Sequence, residues 1–297
     1  MHIHLVDGTY ELFRHFYALP TAQDATGQEV AATRGVLASL LSLIEEGATH
    51  IGVATDHVIE SFRNDLYAGY KTGAGIEPAL RSQFEPLEEV LAAAGFRVWA
   101  MVEHEADDAL ATAAETAAAD ARVERVVICT PDKDLAQCVR GTRVVQLDRR
   151  KRTLWDEAGV AKRFGVGPAS IPDYLALVGD SADGFPGVRG FGPRTAAALL
   201  GRWEHLEAIP DDPARWQVDV RGAARLAETL AARRDDALLF RRLATLVRDV
   251  PDLGGVDDWH WRGPTPKFDA VCRRLGAPAL RERTMRLAAS SAAARSR

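Results

Sequence analysis

The stretch CTPDKD, Cys129 to Asp134, places two carboxylates two positions apart directly after the apolar run VERVVI. In extended chain, residues i and i+2 point the same way, so Asp132 and Asp134 would crowd onto one side and repel each other. A cation between them relieves that repulsion, and a hard divalent metal with oxygen ligands is the chemistry such a pair suits. A solvated turn after a strand would use the same residue types. Similar acids recur along the chain: Asp7 in HIHLVD, Asp56 in HIGVATD, and Glu105, Asp107 and Asp108 in VEHEADD. Asp180 and Asp183, in GDSAD, are spaced i, i+3, and a helical end would present them on one face.

The elements that must position these acids are short apolar strands alternating with helical stretches. HIHLVD, HIGVAT, FRVWAMV, VVICT and RVVQLD read as strands, with helices near TRGVLASLLSLIEE and from about Ala106. That order predicts an α/β domain with a mainly parallel sheet. Asp7 and Asp56 end the first two strands, the Glu105 group follows the third, and Asp132 with Asp134 follows the fourth. In open α/β sheets the C-terminal strand edge is where sites are built, so seven acids are expected on one rim. Glu105, Asp107 and Asp108 also fit a helix first turn, where the dipole favours acids.

The second half changes character. After Arg149 to Arg152, read as a solvated hairpin turn, helices with Gly and Pro punctuation take over, which sets a boundary near Gly165. In GVRGFGPRT, glycines 187, 190 and 192 let backbone approach a ligand closely, and Pro193 fits the first turn of a helix. Free amides at that helix start, with Arg189 and Arg194, form a candidate phosphate cradle; a mere tight interhelical turn is the alternative. Between Asp56 and Glu105, Arg63, Lys71 and Arg81 interleave with Phe62, Tyr67, Tyr70 and Phe84. Cations among aromatic rings suit single-stranded nucleic acid, and they equally suit an amphipathic helix pair covering a sheet edge.

Composition sets the outer bounds. A chain of 297 residues, 47% hydrophobic, buries one large core or two modest ones. Its net charge is −5, yet setting aside nine of its 42 acids as metal ligands leaves 33 acids against 37 Lys and Arg. A basic surface beside an acidic site is therefore compatible with the acidic total. Three cysteines form neither an even disulfide set nor a CxxC pair, and no basic leader or membrane-length apolar run occurs, so a soluble cytoplasmic protein is expected. HExxH and the alternating acids of a calcium loop are absent. A DxD phosphatase is disfavoured because Thr9 stands two residues after Asp7.

LVDG from Leu5, FRNDLYAGYK, VEHEADDAL, CTPDKDLAQ and YLALVGDSADGFPGVRGFGPRTAAALL together resemble the bacterial 5′-3′ exonuclease family, which includes the 5′-nuclease domain of DNA polymerase I and flap-endonuclease relatives. The likeness runs from Met1 to about Leu287 and suggests a stand-alone form. It implies a PIN-like nuclease domain over 1–165, a helical arch, a helix-three-turn-helix (helix-hairpin-helix-like) DNA-binding domain over 166–287, and a disordered tail over 288–297.

The same resemblance implies a metal-ligand set of Asp7, Asp56, Glu105, Asp107, Asp108, Asp132, Asp134, Asp180 and Asp183. These would hold two Mg²⁺ or Mn²⁺ ions roughly 4 Å apart for phosphodiester hydrolysis. Lys71, with Arg63, is expected to offset charge on the scissile phosphate. Arg14, Tyr70, Lys71, Gly187, Arg189, Gly190, Gly192, Arg194 and Thr195 are expected to contact DNA, with a potassium ion on the glycine loop. A monomer acting on duplex DNA with a 5′ end, a flap or a single-stranded 5′ arm is the implied partner relation; a catalytically inactive DNA-structure binder of the same fold is the alternative. The chain departs from the family's usual residues at Ala74 (commonly Arg), Pro131 (commonly Gly, as in TGDKD) and Gly184 (commonly Asn, as in GDSSDN).

Overall fold

The computed structural model describes residues 1–295; the last two residues of the tail lie outside them. The elements run β1 (His2–Asp7), α1 (Gly8–Phe16), α2 (Ala31–Glu45), β2 (His50–Asp56), α3 (Phe62–Leu66), α4 (Pro78–Arg81), α5 (Phe84–Ala93), β3 (Arg97–Met101), α6 (Ala106–Ala119) and β4 (Arg125–Cys129). They continue with β5 (Val144–Asp148), β6 (Thr153–Trp155), α7 (Glu157–Phe164), α8 (Ile171–Val178), α9 (Pro193–Trp203), α10 (Ala223–Ala232), α11 (Arg234–Ala244), α12 (Phe268–Arg274) and α13 (Pro278–Arg295). The described residues divide into two compact units, the first made of 1–59, 73–130 and the segment from 248 on, the second of 60–72 and 131–247.

In the first unit β3, β2, β1 and β4 lie side by side, every pair parallel. Ile3, Leu5, Val6, Ile51, Val53, Val126 and Ile128 are all fully or almost fully buried, as strands covered on both faces require. Helix α6 lies against all four strands. Its sequence ADDALATAAETAAA buries Ala106, Ala109, Ala111, Ala113, Ala114 and Ala117, small side chains that let the helix axis come close to the sheet. Asp7 caps α1, accepting the Tyr10 N–H at 2.8 Å, so the first strand ends and the first helix begins on one residue.

The segment after residue 248 completes this unit through tryptophans. Trp99 and Trp259 both donate their indole N–H to the Leu253 carbonyl, at 3.0 and 3.1 Å, with rings edge to face. Trp261 donates its backbone N–H to Thr49 and its indole N–H to Ala94. The linear division at residue 165 therefore differs from the spatial one: residues 248–295 pack with the N-terminal strands. Arg283 pairs with Glu45 at 2.6 Å, fastening α13 to α2, and α13 continues as helix through positions 288–295 that were expected to lack order.

The second unit is mostly helical. Helices α8, α9 and α11 enclose a core that includes Leu175, Leu177, Phe185, Val188, Leu199, Leu200, Trp216, Phe240 and Leu243. Phe185 stacks on Phe240 at 5.7 Å, and fully buried Trp216 donates its indole N–H to Pro210. Strands β5 and β6 form an antiparallel hairpin across Arg149 to Arg152; its second strand carried no recognisable sequence signal, being three residues long. Gly165, where the sequence suggested a domain boundary, adopts φ +75° and ends α7, although the compact unit continues through it. Among the described residues no helix is long and apolar enough to cross a membrane.

Gly52 shows how closely the parallel strands and their neighbours are fitted. A Cβ there would lie 2.1 Å from the indole of Trp99, a buried ring already held by its hydrogen bond to Leu253. Gly52→Ala is expected to cost about 1–3 kcal/mol in urea unfolding, because the ring has no free space to rotate into.

Candidate metal centre

Five of the nine expected ligands lie in the first unit. Strands β1 and β2 are adjacent, with Asp7 level with Ala54, so Asp7 and Asp56 end neighbouring strands. Asp7 is 6% exposed and its second oxygen accepts the Thr130 hydroxyl at 3.0 Å. Asp56 accepts the Ala106 N–H at 2.8 Å, which fixes the start of α6 beside the end of β2. Glu105, Asp107 and Asp108 thereby arrive together: Glu105 is the N-cap, and its N–H donates to Asp108 at 3.0 Å. Asp108 is fully buried, so its carboxylate serves the helix start as the dipole argument allows. The helix-start reading of these acids is thus met, with capping hydrogen bonds holding carboxylates at the start of α6.

The other four lie in the second unit. After β4 the chain does not stay extended: Asp134 opens a short 3-10 turn, and its N–H donates to Asp132 at 3.0 Å. The turn, rather than strand alternation, sets how these two side chains lie. Asp180 and Asp183 are brought back by a backbone bridge in which Asp180 and Phe185 exchange N–H···O bonds at 2.8 and 3.0 Å. Carboxylate oxygens of Asp134, Asp180 and Asp183 come within 4.8 Å of one another, all buried. Asp134 Oδ1 is buried with no hydrogen-bond partner. A trio of hard oxygen donors with one buried oxygen unsatisfied fits a divalent cation such as Mg²⁺ or Mn²⁺.

The electrostatics agree. Burial first, then the charges of Asp132, Asp183 and Asp180, push the Asp134 carboxyl well above the ordinary carboxylate range. Two lysines supply partial relief. Lys133 Nζ lies 2.7 Å from Asp180, and Lys71 Nζ lies 3.0 Å from Asp183. Burial works to lower the Lys133 pKa, but the hydrogen bond and charge of Asp180 outweigh it and the value is raised. Lys133 is the residue the sequence reading passed over, although it stands between the two acids of CTPDKD; the unlike charge inside that pair was the available signal.

Lys71 is half-buried beside the acids, with its N–H bonded to the Asp183 carbonyl at 2.9 Å and its ammonium over the Tyr70 ring. Arg63 is turned elsewhere. It is 1% exposed, and its Nε and Nη2 donate to the carbonyls of Leu243 and Thr245 at 2.8 and 3.1 Å. A guanidinium fork capping the carbonyl end of α11 is a structural use of the charge, and burial keeps it from a substrate phosphate. Tyr70, expected on DNA, is 3% exposed and belongs to the core of this unit. Arg14, also expected on DNA, turns its Nη2 to buried Glu11 at 2.5 Å.

The glycine loop between α8 and α9 is divided in its purpose. Gly187 has φ +70°, and a Cβ there would lie 2.3 Å from the Gly179 N–H; Gly179, at φ +87°, meets Pro186 as closely from the other side. Two backbone strands cross there with no room for a side chain, so Gly187 serves packing. Gly190 has φ +92°, while a Cβ on Gly192 would meet open space. Pro193 opens α9 as expected, with Arg189 and Arg194 exposed and Thr195 half-buried. The departure at Gly184 also has a local cause: φ is +86°, and a Cβ would lie 2.2 Å from the Gly69 carbonyl.

Comparison with known proteins follows the same outline. The family described as 5′-3′ exonuclease, N-terminal resolvase-like domain, matches residues 2–165, and its C-terminal SAM-fold domain matches 166–267. DNA polymerase I of Pseudomonas aeruginosa is 40% identical over 256 residues, covering 83% of this chain and 27% of that protein. The chain thus spans about a quarter of the DNA polymerase I relatives it matches. The 5′-3′ exonuclease of Aquifex aeolicus is 33% identical over 250 residues, covering 84% of this chain and 82% of that protein. Among solved structures, the bacteriophage T5 flap endonuclease in a pseudo-enzyme-product complex with DNA and metal ions superposes with TM-score 0.66 at 16% identity, covering 97% and 98% of the two chains, a likeness of fold.

The raised Asp134 pKa carries a sign. The folded state holds a proton that the unfolded chain has already given up, so metal-free protein loses stability as pH rises from the unfolded carboxylate range through the folded value. In EDTA, urea unfolding is expected to show stability falling as pH rises above the ordinary carboxylate range. Asp134→Asn should flatten that slope and be the more stable protein at the upper end.

Proposed function

The chain belongs to the 5′-3′ exonuclease family, and from that membership we propose that it hydrolyses phosphodiester bonds of DNA at 5′ ends and flaps in a divalent-metal-dependent reaction. The observation that carries this reading is the buried Asp134, Asp180 and Asp183 trio with its unsatisfied oxygen, since a pure phosphate binder gains nothing from a negative pit. Mg²⁺ or Mn²⁺, when bound, supplies a water activated at neutral pH and a Lewis acid for the leaving oxygen. Asp134, Asp180 and Asp183 are the ligands we assign in the second unit, with Asp132 beside them. Asp7, Asp56, Glu105, Asp107 and Asp108 are the carboxylates we assign in the first.

Lys71 offsets charge as it develops on the scissile phosphate. Its ammonium rests on Asp183, and exchanging that carboxylate for a phosphate oxygen costs it little while a metal neutralises the acids. Arg189, Arg194 and the α9 start, with Gly190, Gly192 and Thr195, grip the duplex through phosphates rather than bases. We assign potassium, following the family, to the carbonyls of the same loop. Ala74 leaves the arch segment without the cation its relatives place there, so Lys71 bears that duty alone at this end.

An internally labelled 5′-flap duplex tests the reading. With Mg²⁺ the protein is expected to release the flap as a discrete product, and EDTA or the Asp132→Asn, Asp134→Asn double variant should abolish release. Unchanged cutting by the double variant, or firm binding with no cutting in Mg²⁺ or Mn²⁺, would replace the nuclease reading with that of a DNA-structure binder. Lys71→Ala should lower kcat by about 10²- to 10³-fold with little change in KM, measured in single-turnover reactions.

A further inference from the structure

Helix α10 adds to the glycine loop a feature that neither motif nor spacing announced. A cavity of about 750 Å³ opens between the loop and α10, lined among others by Arg189, Thr195, Arg221, Arg225, Glu228 and Arg233. Loop and helix are in direct contact there: a Cβ on Gly190 would lie 3.1 Å from Leu226 Cδ2. Arg189, Arg221, Arg225 and Arg233 are all exposed. Arg233 already pairs with Asp236 at 2.8 Å, and the Thr229 hydroxyl is taken by the Arg225 carbonyl. Among the described residues no carboxylate is within ion-pair distance of Arg189, Arg221 or Arg225, even though Glu228 lines the same cavity.

Three exposed, unneutralised guanidinium groups around one concavity repel each other unless an anion enters. We propose that Arg221 and Arg225 of α10 form a second phosphate-contact cluster for duplex DNA, continuous with the loop but separate from it in sequence. The inference rests on the nuclease reading and extends it to residues outside the family-implied contacts. No lining residue of this cavity is aromatic, so it offers no stacking platform for unpaired bases. Its chemistry is that of the phosphodiester backbone, for which arginine forks are well shaped. Gly222, at φ +76°, turns the chain into α10 immediately after Arg221, and its missing Cβ leaves the approach open.

The test measures duplex and single-stranded DNA binding separately, by fluorescence anisotropy across a salt series, in the absence of divalent metal. Each phosphate contact adds about 0.9 to the slope of log K against log salt for duplex, so Arg221→Gln with Arg225→Gln is expected to lower that slope by about 1.8. Duplex affinity should fall roughly tenfold at about 0.1 M salt, and single-strand affinity should not change. Arg221→Lys with Arg225→Lys, which keeps both charges, should keep the slope; a merely structural role for the arginines would not separate the two double variants in this way. Equal affinity and equal slope for the Gln variant would overturn the proposal, and so would an equal loss on single strands. Wild-type protein that binds no duplex at all would overturn the nuclease reading itself, a result distinct from either.

Discussion

Mutual repulsion among carboxylates is the constraint around which the rest is arranged. Buried acids of one sign raise each other's pKa and oppose folding, and a chain keeps them only where a cation repays the cost. In the second unit that repayment is partial and internal: Lys133 and Lys71 each cover one acid, while Asp134 has neither a lysine nor a hydrogen bond on its inner oxygen. In the first unit the relief comes from backbone and hydroxyl donors, the amides of Tyr10 and Ala106 and the hydroxyl of Thr130. The strands and helix starts can be understood as the scaffold that brings these donors to the acids.

Much of this was legible in the sequence because periodicity and charge both report on it. Apolar strands ending in acids identify a parallel sheet, and Asp7 and Asp56 end its strands as expected while Glu105 caps the helix that follows the third. What could not be read was the direction in which a charge faces. Arg63 and Lys71 sit eight residues apart in the same motif, yet one guanidinium is sealed against the carbonyls of α11 and the other cation stays at the acids. Tyr70 is invisible for the same reason, since an aromatic ring beside a basic residue is equally at home in a core or on a nucleobase.

Glycines show the same ambiguity in the backbone. Gly187 and Gly192 stand in one run, but only the structure separates the position where two chain segments touch from the one facing open space. The tryptophans of the last segment were passed over because they lack any period; their function is to place indole N–H groups on the carbonyls of Leu253 and Ala94. Arginine illustrates the general point: counter-ion at position 14, helix cap at 63, unneutralised surface charge at 189, 221 and 225.

The return of residues 248–295 to the first unit has a consequence for biosynthesis. The N-terminal strands emerge from the ribosome early, but the partners of Trp99 and Thr49 are made more than a hundred residues later, after the whole helical unit. At about 5–20 residues per second, a nascent chain spends roughly 10 to 40 seconds with that sheet face uncovered. The helical unit, by contrast, is nearly contiguous and can settle as it appears. Order of synthesis and order of folding are therefore opposed, and the uncovered β3 side of the young sheet is the surface that a chaperone would meet first.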